Sequence, residues 1–358
     1  MPSPKVAVTV VTFNSERYIR RCLEAVLEQR EIGLEVVVLD NASSDGTRVI
    51  LKEFKGRVRR ICPNRNLGFA EAQNRAIQAT NAPWVLSLNP DVLLRRGFIR
   101  ELLEAGESDP GTGTVCGKLL SIGPGFEPLP ERRLDSTGMF FTPAMRHFDR
   151  GWHEPDQPGS DRQEYVFGAS AAAALYRREM IEDIAIDGSF FDPDFFVYRE
   201  DADVAWRAQL LGWRCLYTPA AEAWHVRTVT PANRRSLPAF INMHSVKNRF
   251  LMRIKNATGG IWRRFWLPMA ARDLVVLGGA MFWEPSSLKA FWHVARALPR
   301  ALHQRREIMA RRRAADEDLA QWFRFRPVAR PATRIPATAT RPTSQRAAAA
   351  AVFSEPMA

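Results

Sequence analysis

The stretch VAVTVVTF at residues 6–13 decides the fold. It is apolar, rich in β-branched residues and bounded by turn-forming residues, a pattern that predicts a buried strand. Apolar positions at helical spacing follow over residues 19–27 and predict an amphipathic helix that starts near Asn14. The same unit then repeats, with a second buried strand over 34–39 and a second helix over 45–54. Strands that alternate with helices predict an α/β fold with a mainly parallel central sheet and helices on both faces.

The alternation continues to about residue 230 before the composition changes. Residues 111–165 are richer in Gly and Pro and predict loops with short strands. The predicted units are an α/β domain over 1–235, a basic helical region over 236–325 and a disordered tail over 326–358. The tail prediction depends on its Pro, Ala, Thr and Arg content and its few large apolar residues.

The composition is that of a globular protein with an excess of positive charge. Apolar residues make up 46% of the 358 residues and charged residues 25%, which is enough to build a core. The formal net charge of +12 favours an anionic partner such as a nucleotide-charged substrate, a nucleic acid or a lipid surface. The four cysteines lie far apart without a CxxC pair, so we expect reduced thiols and a cytosolic protein. The N-terminal residues lack the pattern of a signal peptide.

Polar clusters follow the predicted strands of the first half. They are TFN at 12–14, DNASSDGT at 40–47, NRNLGF at 64–69 and NPD at 89–91. Each alone is ordinary, because Asp and Asn favour turns and helix N-caps. Ligands of open α/β sheets bind outside the carboxyl ends of the strands, so four such clusters together predict a binding site. The cluster at 64–69 precedes a helix whose first N–H groups are expected to face a diphosphate.

A second acidic stretch lies in the other half of the chain. Residues 190–203 read FFDPDFFVYREDAD, which places five acids among aromatic residues ahead of a predicted helix. Acids also favour the first turn of a helix for structural reasons, because the helix dipole attracts them there. The aromatic residues favour a partly apolar wall over an open surface. His225 follows a further strand-like piece, and its interpretation as a ligand depends on the acidic motifs upstream.

The joint pattern resembles family 2 glycosyltransferases of the GT-A fold, and within them a rhamnosyltransferase-like branch. The matching pieces are VVTFN at 10–14, DNASSDGT at 40–47, NLGFA at 66–70, NPD at 89–91, FVYREDAD at 196–203 and WH at 224–225. These pieces are in the family's order over roughly residues 5–255. The resemblance implies an inverting, metal-dependent transfer of a sugar from a nucleotide-diphosphate donor. It also implies that 1–235 is the catalytic domain, with a nucleotide-binding half over about 1–110 and an acceptor half over about 111–235.

The resemblance also implies roles for individual residues. Thr12 and Asn14 would line the nucleotide pocket, Asp40 would hydrogen-bond the pyrimidine edge, and Asn66 and Gly68 would lie against the ribose or diphosphate. In the DxD-like motif, Asp91 would bind a divalent cation, Mg²⁺ or Mn²⁺, and Asn89 stands where the family has its first Asp. His225 matches the position of an added metal ligand.

Asp201 would be the general base that deprotonates the acceptor hydroxyl, with Glu200 beside it. Its place in the first turn of a helix predicts that Asp201 stays ionised and that its pKa rises little. The donor sugar stays open, with rhamnose from dTDP-rhamnose as one candidate among hexoses. The acceptor is expected to be a lipid-linked glycan or a polysaccharide of the cell envelope.

The C-terminal third carries the excess charge. Between Val246 and Arg313 there are 15 Lys and Arg against 3 acids, interleaved with Trp and Phe. This pattern favours helices lying on an anionic membrane surface, which predicts a cytoplasmic enzyme peripheral to the inner face of the cell membrane. Arg272 and Asp273 interrupt the apolar run from Leu267 to Trp283, which argues against a membrane span. A solvated helical bundle packed on the catalytic domain is the alternative.

Two other classes of function remain open at this stage. One is a basic membrane- or nucleic-acid-binding protein on an inactive α/β scaffold, and the other is a nucleotidyltransferase. Nucleic-acid binding would account for the charge but not for the acidic clusters, so no nucleic-acid partner is expected. The chain has no P-loop and no GxGxxG after its first strand, which argues against a kinase or a dehydrogenase.

Overall fold

The computed structural model describes residues 3–227 and 239–331. The strands are β1 (Val6–Thr12), β2 (Leu34–Asp40), β3 (Arg59–Ile61), β4 (Trp84–Leu88), β5 (Val92–Leu94), β6 (Thr112–Ser121), β7 (Leu134–Ser136), β8 (Met139–Phe141), β9 (His147–Asp149), β10 (Glu164–Val166), β11 (Ala173–Arg177), β12 (Arg214–His225) and β13 (Arg330–Pro331). The helices are α1 (Ile19–Leu27), α2 (Thr47–Glu53), α3 (Phe69–Gln78), α4 (Phe98–Glu107), α5 (Arg178–Ile184), α6 (Glu200–Leu210), α7 (Ala239–Asn256), α8 (Gly259–Phe282), α9 (Lys289–Arg311) and α10 (Asp316–Ala320).

The main sheet has the strand order β3-β2-β1-β4-β11-β6-β12-β10-β13, with β5 beside β12 and β7 beside β6. Strand β1 pairs in parallel with β2 and β4, β2 with β3, and β6 with β12. Strand β11 runs antiparallel between β4 and β6. The predicted α/β class with a mainly parallel core is therefore confirmed, and antiparallel strands extend it.

The two faces of β1 bury their side chains in different cores. Val6, Val8 and Val10 pack in a cluster with α1 and α4, whereas Ala7 belongs to a second cluster with α3 on the other face. This alternation is the two-residue period of a strand covered on both sides. The all-apolar run that opens the chain is therefore buried throughout.

Strand β6 differs from the sequence-based expectation of loops over residues 111–165. It is a central ten-residue strand, buried at nine positions. Its glycines make room for close neighbours, because a Cβ on Gly117 would lie 2.4 Å from the carbonyl oxygen of Ala221. A Cβ on Gly113 would lie 2.5 Å from Met180 Sδ. Glycine here serves packing inside a sheet and does not mark a turn.

The C-terminal helices share a core with the sheet. Leu251 of α7, Ile261 of α8 and Ile308 of α9 belong to the same buried cluster as residues of β11 and α6. Buried Lys255 of α7 also lies 2.6 Å from Asp192 and 3.0 Å from Asp203. The helices therefore pack on the catalytic region as one body with it, and the predicted boundary at 235/236 lies outside the described residues.

Two features bear on the predicted tail and the membrane. Within the predicted tail, Arg330–Pro331 forms a short edge strand that pairs with β10, and residues 332–358 lie outside the described residues. Helix α8 is the one helix of the described chain that is long and apolar enough to cross a membrane, and it is mostly exposed. Length and composition alone do not place it in a bilayer.

Candidate active site

The carboxyl ends of β1, β2 and β4 bring three of the polar clusters to one edge of the sheet. Thr12 and Asp40 are register partners at the ends of β1 and β2. Asn89 follows the last residue of β4, and its N–H donates to the carbonyl of Ala172 at 2.9 Å. The hydroxyl of Thr12 is buried and has no hydrogen-bond partner within the described residues.

A carboxylate and a histidine meet where β5 and β12 pair. Asp91 immediately precedes β5, and His225 is the last residue of β12, with Val92 opposite it in register. The pairing places His225 Nε2 3.4 Å from Asp91 Oδ1. The N–H of Val226 donates to the carbonyl of Asp91 at 3.0 Å, which fixes the backbone on both sides. The structure thus brings together two residues that are 134 positions apart in the printed sequence.

Asp135 holds the other side of His225. Its Oδ2 lies 2.7 Å from His225 Nδ1, and its Oδ1 accepts from Arg227 Nε at 2.6 Å. Burial opposes the charge of Asp135, but His225 and Arg227 outweigh it and lower the pKa of Asp135 to about 2. Burial likewise lowers the pKa of His225, and the carboxylates of Asp135 and Asp91 overcome it and raise that pKa to about 10.

These groups fit a divalent cation. Asp91 Oδ1 is buried without a hydrogen-bond partner in the described part of the chain, because its contact with His225 lacks hydrogen-bond geometry. A carboxylate on one ring nitrogen is the usual support for a histidine that binds metal through the other nitrogen. Asp91 and His225 could therefore hold a cation that takes the place of the proton on His225 Nε2, with Asn89 offering an amide oxygen nearby.

The start of α6 carries the predicted base. Asp201 Oδ1 accepts from its neighbour Ala202 N at 2.7 Å, and Oδ2 accepts from Ala171 N at 3.4 Å. Ala171 lies just before β11, next to the residue that bonds Asn89. Glu200 is buried beside Asp201, and its Oε2 has no hydrogen-bond partner among the described residues.

The pKa of Asp201 departs from the expectation that the helix start would hold it down. Burial and the charge of Asp149 raise the pKa of Asp201, and the N–H groups of Ala202 and Ala171 only partly oppose the rise. Burial and the adjacent Asp201 raise the pKa of Glu200 as well. The expectation was wrong because desolvation of a carboxyl exceeds the effect of the helix dipole here.

A strained turn at residues 196–199 precedes these acids, and α7 holds it. The backbone φ is positive at three of its residues, Phe196 (59°), Tyr198 (68°) and Arg199 (72°). Such values cost energy for residues other than glycine, so the surroundings must supply compensating contacts. The fully buried Asn248 does so, because its amide donates to the carbonyls of Phe195 (2.8 Å), Val197 (2.9 Å) and Tyr198 (2.7 Å).

One cavity of about 690 Å³ joins part of the predicted site. Of the predicted residues it is lined by Asn89, Asp91, Glu200, Asp201 and His225. The other predicted residues, which are Thr12, Asn14, Asp40, Asn66 and Gly68, are not among its lining residues. The candidate metal ligands Asp91 and His225 and the candidate base Asp201 therefore line the same cavity. The residues predicted to bind the nucleotide lie outside its lining.

The residues predicted to bind the nucleotide are hydrogen-bonded to their neighbours at the sheet edge. Asn14 accepts from Ser44 N at 2.8 Å, and Asn66 accepts from the Asn41 amide at 2.9 Å. Asp40 is buried, and its Oδ2 accepts from Arg48 Nε at 2.6 Å. A base edge that bonds Asp40 would therefore have to share or replace the guanidinium of Arg48.

The expected diphosphate contact at the start of α3 is not available in this structure. The N–H groups of Phe69 and Ala70 both donate to the carbonyl of Phe196, at 2.6 and 3.3 Å. Gly68 has φ +78°, and a Cβ there would lie 2.5 Å from the Phe196 ring. Gly68 therefore allows the close approach of the turn at 196–199, and this long-range contact was not predictable from the local sequence.

Comparison with known proteins decides the family. The model of the family "Glycosyl transferase family 2" matches residues 7–185, which is half of the chain. The chain belongs to glycosyl transferase family 2. The predicted enzyme class, a glycosyltransferase, is confirmed with it. The family match ends before α6, so Asp201 and His225 lie in the part of this glycosyltransferase that follows it.

Similar proteins include a rhamnosyltransferase and a protein of succinoglycan biosynthesis. The N-acetylglucosaminyl-diphospho-decaprenol L-rhamnosyltransferase of Mycobacterium tuberculosis is 30% identical over 243 residues, covering 61% of this glycosyltransferase and 75% of the relative. Succinoglycan biosynthesis protein ExoO of Rhizobium meliloti is 33% identical over 106 residues, 29% of this chain and 30% of that protein.

Solved structures share the fold. Mannosyltransferase PcManGT from Pyrobaculum calidifontis, in complex with GDP-Man and Mn²⁺, superposes with a TM-score of 0.51 at 18% identity, over 86% of each chain. S. aureus TarS 1-349 gives a TM-score of 0.51 at 17% identity, over 90% of this chain and 93% of that one. At these identities the likeness shows the GT-A type of fold alone.

Several residues of the site were missed in the sequence. Asp135 and Asp149 come from short strands in the stretch interpreted as loops, and Arg249 and Arg272 come from the basic helices. Asp135 stands in an unremarkable LDST tetrapeptide without a motif. Arg227 was visible next to His225, but its ion pair with Asp135 depends on a contact across 92 positions.

Proposed function

We propose that this glycosyltransferase is an inverting, metal-dependent enzyme that transfers a hexose from a nucleotide-diphosphate sugar to a lipid-linked or polysaccharide acceptor of the cell envelope. The observation that carries the proposal is one cavity lined by the Asp91–His225 pair and by Asp201. These two groups of residues are the ones needed to hold a donor diphosphate through a cation and to activate an acceptor hydroxyl.

Asp201 is the proposed general base. Its carboxylate takes the proton of the acceptor hydroxyl as that oxygen bonds to the anomeric carbon of the sugar. The bond from that carbon to the nucleoside diphosphate breaks on the opposite face, so a single displacement inverts the configuration. The two backbone N–H groups on Asp201 orient the carboxylate, and its burial makes it a stronger base than an exposed aspartate.

Asp91 and His225 are the proposed ligands of Mg²⁺ or Mn²⁺, with Asn89 close by. When bound, such a cation neutralises the charge that develops on the diphosphate leaving group. Asp135 would position His225 for this role from behind. Support comes from the buried, unbonded Asp91 Oδ1 and from the Mn²⁺ complexes of structural neighbours such as PcManGT.

Thr12, Asn14, Asp40, Asn66 and Gly68 are proposed to bind the nucleotide at the sheet edge. The unbonded Thr12 hydroxyl supports this role. As donor we propose dTDP-rhamnose, because the motifs resemble those of rhamnosyltransferases and the mycobacterial relative is named as one. That name also supports a sugar-diphospho-prenol as acceptor.

A peripheral position on the inner face of the cell membrane completes the proposal. Helix α8 exposes large apolar side chains, among them Trp266, Leu274 and Phe282, and Trp283 follows its last residue. Arg272 and Asp273 in the middle of α8 face α7 and the cavity, and Asp273 pairs with Arg253. A helix fastened at its centre in this way is better suited to lie in the interface than to cross a bilayer.

A thermal-shift screen of nucleotide sugars with and without Mn²⁺ or Mg²⁺ tests the donor site. We expect one donor to raise the melting temperature only when the cation is present, because binding to the folded state stabilises it. The Asp91→Ala variant should lose the shift. The absence of a shift with any nucleoside diphosphate would refute the proposed donor site.

Sugar transfer by Asp201→Asn tests the base. We expect turnover to fall by roughly 10²–10⁴-fold while the donor-induced shift is kept. Asp156→Asn, which removes an acid that pairs with Lys118 outside the cavity, is the control. Release of diphosphate from a nucleoside triphosphate without sugar transfer would favour the nucleotidyltransferase alternative.

A further inference from the structure

The cavity has a second, basic end that the proposed chemistry does not use. Arg249 on α7, Arg272 on α8 and Arg146 between β8 and β9 line it together with the carboxylates described above. Arg249 and Arg272 come from the helices that follow the family-matched residues. The cavity is thus acidic near Asp91 and Asp201 and basic where α7 and α8 meet it.

The cations at this end outnumber the acid that faces them. Asp273 pairs with Arg253 through two contacts of 3.0 and 2.5 Å and lies 3.5 Å from Arg249. Burial lowers the pKa of Arg249 to about 10; Asp273 opposes this shift, and the charges of Arg253, Arg272 and Arg146 add to it. Near Arg249, one carboxylate is therefore accompanied by three other guanidinium groups.

Part of this donor capacity is unused. The Nε atoms of Arg249, Arg253 and Arg272 are buried and have no hydrogen-bond partner in the described ranges 3–227 and 239–331. Arg249 is 4% exposed, so water does not fully solvate its charge. Buried guanidinium groups with open donors bind phosphate oxygens well, because their planar forks match two oxygens at once.

The wall next to these arginines is apolar. Ile241 and Val276 line the same cavity, and Val276 is one helical turn from Arg272 on α8. On the same helix, Val275 lies between Arg272 and Val276 in sequence and is 59% exposed. A ligand bound by the arginines could therefore continue as a hydrocarbon chain along α8.

We propose that Arg249 and Arg272, with Arg146, bind the phosphate or diphosphate of an amphiphilic acceptor whose apolar chain lies along α8. The acceptor hydroxyl is then directed toward Asp201 at the other end of the cavity. This inference rests on the proposed function and adds the site at which its acceptor binds. The donor diphosphate has its own ligands at Asp91 and His225, so the arginines serve a second anion.

Binding of farnesyl diphosphate to the full-length protein, measured by calorimetry without donor, tests the site. We expect farnesyl diphosphate to bind at least tenfold more tightly than farnesol, and more tightly than inorganic pyrophosphate. Arg249→Gln and Arg272→Gln should each weaken it by about tenfold or more, the scale of a lost charge-assisted contact. Arg249→Lys, which keeps the charge, should lose less. Arg263→Gln, an exposed arginine of α8 outside the cavity, should bind as the wild type does.

Binding of a nucleoside diphosphate with Mn²⁺ is measured on the same variants and separates the two anion sites. We expect it to change by less than about twofold, because the donor ligands are untouched. A loss of nucleotide binding in the arginine variants with unchanged farnesyl diphosphate binding would assign the arginines to the donor. Equal binding of farnesol and farnesyl diphosphate would eliminate an anion site. Equal binding of pyrophosphate and farnesyl diphosphate would overturn the chain along α8.

The two proposals fail separately. If nucleotide sugars bind and farnesyl diphosphate does not, the acceptor site is wrong and the glycosyl transfer is untouched. If no nucleotide sugar binds, the proposed function fails, whether or not farnesyl diphosphate binds. Far-ultraviolet circular dichroism on each variant establishes folding, and the partly exposed Arg272 provides a second site if Arg249→Gln does not fold.

Discussion

Burial and the charge of Asp149 both raise the pKa of Asp201, and this has a consequence for the pH dependence of transfer. The base must be ionised to accept a proton, so kcat/KM should fall as the pH drops through the raised pKa. We expect this acid limb well above the ordinary aspartate value of about 4. A pH–rate profile between about pH 4.5 and 8 measures it.

Asp149→Asn provides the matched test. It removes a negative charge that raises the pKa of Asp201, so the acid limb should move to lower pH. A profile that is flat over this range in the wild type would contradict the role of Asp201 as a general base. An unchanged limb in Asp149→Asn would contradict the cause assigned to its raised pKa.

Asp135 is predicted to affect metal binding indirectly, through His225. Asp135→Asn leaves a neutral amide beside His225 Nδ1, which weakens the support for this proposed ligand. We expect the Mn²⁺ concentration for half-maximal activity to rise about 10–100-fold, as for other partners of metal-binding histidines. Metal titrations of activity measure it, with Asp156→Asn as the control. Identical titrations for the two variants would show that Asp135 does not support a ligand.

At the scale of elements, α7 holds the strained turn before the catalytic acids. Asn248→Ala removes its bonds to the carbonyls of Phe195, Val197 and Tyr198. We expect the free energy of unfolding to fall by about 1–3 kcal/mol, because buried acceptors lose their donor. We also expect kcat to fall at least tenfold with the KM for donor little changed, because Asp201 would lose its position.

Asn256→Ala on the same helix separates the two effects. Asn256 is buried and donates to the Asp203 carboxylate of α6 at 2.8 Å, whereas Asn248 donates to carbonyls of the turn. It should lose comparable stability in urea unfolding but keep most of its kcat. Equal losses of kcat in the two variants would mean that α7 acts through general stability and not through the turn.

The elements also show how far a sequence can predict this fold. The first strands and helices were predictable because their apolar positions recur with clear periods of two or 3.6 residues. Strand β6 was not predictable, because glycines such as Gly113 and Gly117 usually indicate turns. Their actual role, which is to make room for close neighbours, is visible only in the structure. Local patterns carry no information about such close approaches.

The candidate site also has a part that the sequence predicts and a part that it does not. Asn89, Asp91, Glu200, Asp201 and His225 were predicted from motifs that follow strands or start a helix, and the structure gathers them around one cavity. The hydrogen bonds from Asn248 to the strained turn and between Asp135 and His225 were not predicted. Both act across at least 50 positions of sequence, and Asn248 and Asp135 themselves lie in segments that show no motif.

For the whole molecule, the exposed aromatic side chains of the C-terminal helices predict membrane binding. Trp283 and Trp292 are 79% and 68% exposed. Replacing both with Ser should weaken binding to anionic vesicles several-fold, because indole rings anchor proteins at the interface. Binding of the wild type should also weaken as salt is added, because the basic helices contribute by charge.

Vesicle co-sedimentation measures this prediction. Val49→Ser, which removes an exposed apolar side chain from α2, is the control and should bind vesicles as the wild type does. Equal binding of the double tryptophan variant and this control would place the membrane contact elsewhere or remove it.

The family match over residues 7–185 ends before the base, the histidine and both helices that build the basic end of the cavity. On these proposals, the family-matched part contributes the nucleotide-binding residues and Asp91. The part that follows supplies His225 to the donor site and adds the base and the acceptor-binding Arg249 and Arg272. Chimeras with a related enzyme should then exchange acceptor preference through residues 186–331 while the donor stays the same. Such modularity would let a bacterium diversify its surface polymers by altering one half of a gene and keeping its supply of sugar nucleotides.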